Sequence, residues 1–598
     1  MSPSARPPAS GLAHAVTRAR SSRRLAIFLV AYLVLTGAIG WRLVTVQVVS
    51  ADEYRELAER QVQREVAVPA RRGKIYDRDG EALAMSLPAA SVYADPRVIA
   101  AAEVDPTFIA ADLEPLLDHT MDELMEALTR DAGFVYLGRQ LPRAVGDQIR
   151  SMRLPGIGVL EEPKRSYPAD GLASQVVGFA GLDGDGLAGI ELRDDDLLAG
   201  TPGLLRQERA PGGVAISAAP QEVEPPEPGD DVVLTIDRSI QHHAERVLAD
   251  AIAAQDARGG SAVVLDVDSG DILAMASAPA FDPEAEEGSA YSRRNRAVTD
   301  VFEPGSVNKA ITLAAALDDG VIAPDASMHV PESVTVGGKR FTDSTPQPAQ
   351  SLTVTEIMAR SSNVGTIQIA EQLGDEALRE YLERFGFGAA TGLDFPGESH
   401  GIVPSPDAWY ATTRPTVAIG QGVSASLLQV AGVFGALASD GERVEPRLVR
   451  GTVDADGRLV EAPEPERHRA VAPETAGAVA EMLTAVVEDG TGGRAAVPGY
   501  RVAGKTGTAQ KPSPTSRGYE EGAYIATFAG FAPAEDPELV VAVMIDEPGE
   551  AIYGGEVAAP VFAELMEFAL GQRRVPPSED GSREDGSRED AATADAAG

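Results

Sequence analysis

At 598 residues, with 44% hydrophobic and 5% aromatic content, the chain can form two or three domains filled mainly by Leu, Val, Ile and Ala. A formal charge of −39, from 52 basic against 91 acidic residues, argues against a nucleic-acid partner, because phosphate recognition needs concentrated Lys and Arg. With no cysteine, disulfides, thiolate nucleophiles and Cys-ligated metals are excluded.

Residues 1–24 carry five arginines (6, 18, 20, 23 and 24) and no acid. Leu25 to Trp41 is uncharged, and the apolar character resumes beyond Arg42 as far as Val49. A membrane span needs about 20 predominantly apolar residues, and an arginine near its end can snorkel. Residues 25–49 are therefore expected to be a transmembrane anchor, with residues 1–24 cytoplasmic and the remaining chain outside. The competing reading is a cleaved leader ending at Ala38-Ile39-Gly40. The apolar stretch exceeds the roughly 7–15 residues usual in such leaders, which favours the retained anchor.

Residues 51–66 are charged and patterned as a helix, a stalk leaving the membrane. Residues 66–100 read as short strands with a turn at Asp79-Gly80, and 105–150 as mainly helical. Residues 165–230 are rich in Gly and Pro. Together, residues 51–230 read as an extended, mixed non-catalytic pedestal. The Pro-rich stretch 222–231 is the best domain boundary.

In the second domain, 231–572, Val232–Ile236 is an apolar run, followed by a helix around 239–254. Ser261–Asp266 and Asp271–Ser277 read as a hairpin. An apolar helix covers about 306–319 and stops at Gly320. Tyr524–Phe531 and Leu539–Ile545 read as strands, and 556–570 as a closing helix. Strands at both ends of a helical middle predict an α+β domain, with one antiparallel sheet completed by distant segments. Residues 573–598 repeat Ser-Arg-Glu-Asp and are expected to be a disordered acidic tail.

Three short elements carry the chemistry: Ser306-Val307-Asn308-Lys309, Ser361-Ser362-Asn363 and Lys505-Thr506-Gly507-Thr508. Each alone is unremarkable: an N-capping serine with a solvent lysine, a loop serine pair, a strand end before a turn. Scarcity changes their weight. The chain has six lysines (74, 164, 309, 339, 505, 511) against 46 arginines, and three asparagines (295, 308, 363), so two lysines and two asparagines fall inside these elements. Glu303-Pro304-Gly305 is a turn that places Ser306 at a helix N-terminus, where N–H groups and the helix dipole meet negative charge. Lys309 follows one turn later on the same face. A serine hydroxyl needs a base; a buried lysine can lose its proton and serve as one, whereas arginine cannot.

In this order the elements are the known signature of β-lactamases and penicillin-binding proteins. Segments 295–309, 361–365, 503–510 and 553–562 resemble class B penicillin-binding proteins. Residues 71–84 (RRGKIYDRDGEALA) and 167–191 resemble two non-catalytic boxes of that family, whose bland reading is turns and strand pairing. The resemblance covers roughly residues 25–570. VYADPRVI (92–99) and the last two catalytic segments look most like the division-specific (FtsI-type) septal members. Asn308 departs from the apolar or small residue common before the lysine.

The resemblance implies a peptidoglycan D,D-transpeptidase on a penicillin-binding, serine β-lactamase-like domain, its antiparallel sheet flanked by helices. Ser306 is then the nucleophile, and Lys309 its base. Ser361 relays a proton, Asn363 binds the substrate amide, and Lys505 keeps Ser361 and Lys309 poised electrostatically. Thr506, Gly507 and Thr508 form the substrate-binding strand, with Thr506 and Thr508 on the terminal carboxylate and the N–H groups of Ser306 and Thr508 as oxyanion hole. No metal or organic cofactor is implied. The implied partners are D-Ala-D-Ala stem peptides, β-lactams as inhibitors, the membrane, a membrane glycan polymerase (SEDS type) and other divisome proteins. Three alternatives stand beside this reading. One is an elongation or sporulation enzyme. Another is a β-lactamase, for which Glu398 in LDFPGESHG (393–401) is the candidate glutamate. The third is a penicillin-sensing receptor or scaffold.

Overall fold

The computed structural model describes residues 12–50, 63–208, 222–285, 288–454, 456–513 and 518–578. At the N-terminus, helix α1 (Leu12–Val44) continues into a π-helical turn, Thr45–Val49. Across the two, Arg24–Val49 is 26 residues long, has mean hydropathy 1.9 and is not buried against the other described residues, so it is long and apolar enough to cross a membrane. Most of the expected stalk lies outside the described residues. Its last part is extended rather than helical: Gln63–Val68 pairs antiparallel with Gly203–Glu208.

The pedestal strands are β1 (Ile75–Tyr76), β2 (Ala82–Ala94), β3 (Val135–Pro142) and β4 (Ile157–Ser166). The turn at Asp79-Gly80 joins β1 to β2, as its residues predict, with Gly80 at φ 88°. β2 is one long strand rather than several short ones, because β3 and β4 both pair along it. The two sequence boxes meet here. Glu191, fully buried at the end of the second, accepts hydrogen bonds from Arg72 of the first and from Arg165, 2.7 Å away. A buried carboxylate is tolerable only when paired in this way.

The Pro-rich boundary ends in β5 (Asp231–Leu234), which pairs parallel with β1. The catalytic strands are β6 (Gly259–Asp266), β7 (Ile272–Ala278), β8 (Val449–Val453), β9 (Leu459–Glu461), β10 (Ala503–Pro512), β11 (Tyr519–Ala532) and β12 (Leu539–Asp546). β8 pairs with the other edge of β5, so one seven-stranded sheet, β9-β8-β5-β1-β2-β3 with β4 also on β2, runs through both modules. Residue 230 therefore separates sequence segments, not independent sheets. Local sequence cannot show this, because β1 and β5 are about 155 residues apart.

The catalytic sheet is five-stranded and antiparallel, in the order β7-β6-β12-β11-β10. β6, β7 and β12 read as continuous apolar runs because both faces are covered. Alternate residues split between two cores: Val263, Leu265, Ala542 and Met544 face one, Ala262, Val264, Val541 and Val543 the other. Helices α2 (Arg238–Ala254) and α7 (Gly554–Arg573) cover the second face. The helix Leu427–Ala438 lies on the first face, and the rest of the helical middle packs in the same core: α3 (Lys309–Asp318), α4 (Val354–Ala359), α5 (Asn363–Leu373) and α6 (Pro473–Glu488). α3 is buried from Lys309 through Ala316, the mark of a helix running through a core.

The expected tail starts later than residue 573. Tyr500 Oη donates to the carbonyl of Val575 (2.7 Å) and Ser578 N to that of Gly499 (2.9 Å), which pins the chain as far as Ser578. The rest of that tail, 579–598, lies outside the described residues.

Candidate active site

Ser306 sits in a 3₁₀ turn, Gly305–Asn308, that leads into α3. In a 3₁₀ turn residues i and i+3 eclipse, so Ser306 and Lys309 line up more closely than α-helical spacing would give. Glycines permit the turn's position. Gly305 has φ 56°, and a Cβ on it would lie 3.0 Å from the carbonyl oxygen of Thr508. Gly305 N donates to the carbonyl of Gly420 (3.0 Å), where a Cβ would meet Gly305 O at 2.0 Å. A Cβ on Gly507 would meet Val307 Cγ2 at 2.8 Å. The Ser306 turn is thus pressed against the edge strand β10 with no room for a side chain between them.

Asn308 turns its side chain inward, Nδ2 donating to the carbonyl of Val417 at 2.8 Å. Glu303 accepts from Gly422 N (2.8 Å) and Tyr519 Oη (2.9 Å); burial pushes its carboxyl up from the ordinary value. These two residues fasten the turn from both sides. No role for Asn308 is legible locally, since its partner is 109 residues away.

Lys309 is completely buried, and burial pulls its pKa down to about 7, against an opposing pull from Asp343. Its Nζ donates to the carbonyl of Ser361 (2.6 Å) and to Asn363 Oδ1 (2.7 Å), and lies 3.2 Å from Ser361 Oγ. The first two partners only accept. When neutral, the amine gives them its two hydrogens and keeps its lone pair for Ser361 Oγ. Ser361 reaches this position in the left-handed region, φ 56°, which costs a non-glycine residue about 1–3 kcal/mol.

Asn363 is engaged at both ends, its Nδ2 donating to the carbonyl of Thr342 at 3.1 Å. Its first duty in this structure is holding Lys309, which its implied role as amide binder did not include. Ser362 caps α5 through Gly365 N (3.0 Å) and donates to Asp343, which also accepts from Val364 N (2.9 Å). Asp343 therefore clamps the Ser-Ser-Asn segment and supplies the one charge that favours protonated Lys309. Nothing in its neighbourhood, FTDSTP, marks it in sequence.

On β10, Lys505 is also fully buried, and burial, then the nearby Lys309, lowers its pKa well below the usual ammonium value. Its Nζ donates to Thr506 Oγ1 at 3.2 Å rather than to Ser361. Thr508 Oγ1 accepts from Gly554 N (3.1 Å) at the start of α7, which leaves its own proton for a ligand. Ser306, Ser361, Asn363, Thr506, Gly507 and Thr508 all line one cleft of ≈ 750 Å³, with both lysines beneath it. Glu398 is elsewhere: it accepts from Thr391 N (2.7 Å) and Thr391 Oγ1 (2.6 Å), closing a turn away from the cleft lining.

Residues 260–567 match the family model for the penicillin binding protein transpeptidase domain, and residues 67–234 that for the penicillin-binding protein dimerisation domain. The chain is 36% identical to penicillin-binding protein PbpB of Mycolicibacterium smegmatis, over 90% of this chain and 88% of that one. It is 33% identical to peptidoglycan D,D-transpeptidase FtsI of Escherichia coli, over 92% and 91%. Among solved structures, penicillin-binding protein 3 of Mycobacterium tuberculosis complexed with aztreonam superposes with a TM-score of 0.67 at 33% identity, covering 86% of this chain and 98% of that one. The chain belongs to the class B penicillin-binding proteins, built from a dimerisation domain followed by a transpeptidase domain.

Proposed function

We propose that the chain is a membrane-anchored peptidoglycan D,D-transpeptidase acting at the division septum, with its N-terminus cytoplasmic and both modules outside. One observation carries the chemistry: a buried lysine with its pKa near 7 joins the Ser306 turn, the Ser361/Asn363 loop and the Lys505–Thr508 strand at a single cleft.

Neutral Lys309 takes the Ser306 proton as Ser306 Oγ attacks the carbonyl between two D-alanines. The carbonyl oxygen becomes an oxyanion held by the N–H groups of Ser306 and Thr508, each such donor being worth about 10²–10³ in rate. The proton passes from Lys309 through Ser361 Oγ, 3.2 Å away, to the departing D-alanine nitrogen. The C–N bond breaks and an acyl ester remains on Ser306. An acceptor amine then attacks that ester, and its proton returns by the same route to Ser306. Thr506 and Thr508 hold the donor's terminal carboxylate, and Asn363 and Ser361 keep Lys309 oriented. β-Lactams acylate Ser306 as donor mimics and stall. That an aztreonam complex exists for a relative with this fold supports the reading.

The pedestal and anchor serve placement and partner contact. Neither matched module is a glycan polymerase, so the partners proposed are a membrane polymerase of the SEDS type and other division proteins. The names PbpB and FtsI among the relatives support the septal role. Labelled penicillin followed by a chase tests the enzyme class: a long-lived Ser306 adduct is expected, and rapid hydrolytic loss would mark a β-lactamase. Depletion in growing cells tests the place of action. Filaments with blocked septa are expected; rounded cells would move the enzyme to side-wall synthesis.

A further inference from the structure

A second cavity adjoins the catalytic cleft. It measures ≈ 580 Å³ and is lined by Glu332, Arg340, Thr342, Pro346, Gln347 and Pro348. Gln347 lines the cleft as well, so the two spaces share a wall. One side chain ties the cavity to the catalytic lysine: Asn363 Oδ1 accepts from Lys309 Nζ (2.7 Å), and its Nδ2 donates to the carbonyl of Thr342 (3.1 Å).

Packing behind the cavity holds its polar rim in place. Val334–Val336 and Lys339–Phe341 form a hairpin across Gly337-Gly338, both at positive φ (57° and 81°), as a tight two-residue turn requires. Phe341 is buried against Ile367 of α5 and Ile419 on the cleft wall. Side chains alternate along a strand, so burying Phe341 turns Arg340 outward. Gln347 stands between two prolines, which fix φ on either side and restrict the residue between them. The rim is nonetheless unsatisfied. Glu332 and Arg340 bring opposite charges to one cavity, yet among the described residues neither side chain forms an ion pair, and the Gln347 amide makes no hydrogen bond.

We infer that this cavity is a subsite for a zwitterionic side chain on the donor peptide, Arg340 taking its carboxylate and Glu332 its ammonium group. The inference rests on the transpeptidase reading above and deepens it. On that reading the donor's terminal carboxylate lies at Thr506 and Thr508, so the residues preceding its two D-alanines leave along another wall. The wall of Asp343, Ser344, Thr345 and Gln347 leads to the cavity. A peptide that is donor in one reaction and acceptor in the next must carry a free amine, so an acid on the rim has a group to meet. An amino acid whose side chain ends in an ammonium and a carboxylate together satisfies both charges.

The test uses three penicillins whose acylamino side chains take the place of the donor's preceding residues. One is aminoadipoyl, with ammonium and carboxylate; one is adipoyl, with the carboxylate alone; one is hexanoyl, with neither. Acylation of the full-length protein in detergent at low salt is followed for wild type, Arg340→Gln and Glu332→Gln. Rate ratios between ligands are compared across the variants, so the net negative charge of the chain cancels. Arg340→Gln should lower the adipoyl-to-hexanoyl ratio by about 3- to 5-fold, the scale of an exposed ion pair. Glu332→Gln should lower the aminoadipoyl-to-adipoyl ratio by a similar factor, and both effects should shrink in high salt. Acylation by hexanoylpenicillin reports that each variant is folded. Equal slowing with all three ligands, or ratios unchanged in both variants, would overturn the inference while leaving the transpeptidase reading intact. Failure of wild type to be acylated by any of the three would instead remove that reading.

Discussion

Titration of Lys309 gives the account a quantitative handle. Burial draws this ammonium down to about 7, and only the neutral amine can accept the Ser306 proton. With that midpoint, roughly 9% of Lys309 is neutral at pH 6 and roughly 91% at pH 8, so acylation should rise about tenfold between them. Asp343 opposes the burial effect, since a nearby negative charge favours the protonated form. Asp343→Asn should therefore lower the Lys309 pKa and move the rising limb of the profile to more acidic pH. The substitution also weakens the clamp on Ser362 and Val364, so the plateau rate should fall as well. Stopped-flow acylation by a fluorescent penicillin from pH 5.5 to 9 reads both quantities. A flat profile, a midpoint near that of a free lysine, or a limb displaced upward by Asp343→Asn would refute the assignment of Lys309 as base.

Other substitutions test separate parts of the structure. Lys309→Arg should reduce acylation by about 10²–10⁴, because a guanidinium keeps its proton; near-normal rates at pH 7 would contradict this. Gly420→Ala should displace the Ser306 turn, since the new Cβ would overlap Gly305 O at 2.0 Å, and should lower both the melting temperature and the acylation rate. Glu191→Gln removes the buried counter-charge of Arg165 and leaves Arg72 only Asp195, which should cost about 3–5 kcal/mol in denaturant titration. The folded variant should still be acylated at the wild-type rate at 25 °C, because this cluster lies in the pedestal.

What the sequence disclosed and what it withheld divide along contact distance. The strands Gly259–Asp266 and Leu539–Asp546 were legible because burial on both faces writes a continuous apolar run, and α3 because it is apolar all round. The chemistry was legible because lysine and asparagine are rare in this chain and local spacing carries much of it. Groups acting across long separations were not. Asp343 and Asn308 find their partners through the packing of the helical middle, and neither sits in a pattern of its own. The sheet shared by both modules escaped for the same reason: a Pro-rich stretch reads as a linker, while the pairing that follows it depends on a strand far upstream. The tail was read from composition alone, which could not reveal that Gly499 and Tyr500 accept and bond its first residues.

The central claim is that Ser306 is the acylated nucleophile. Trypsin should release it within residues 297–309, between Arg296 and Lys309. After brief exposure of the intact protein to penicillin, peptide mass mapping should find one penicilloyl adduct, on that peptide. Ser306→Ala should carry none. An adduct on the peptide containing Ser361, or one that persists in Ser306→Ala, would contradict the account.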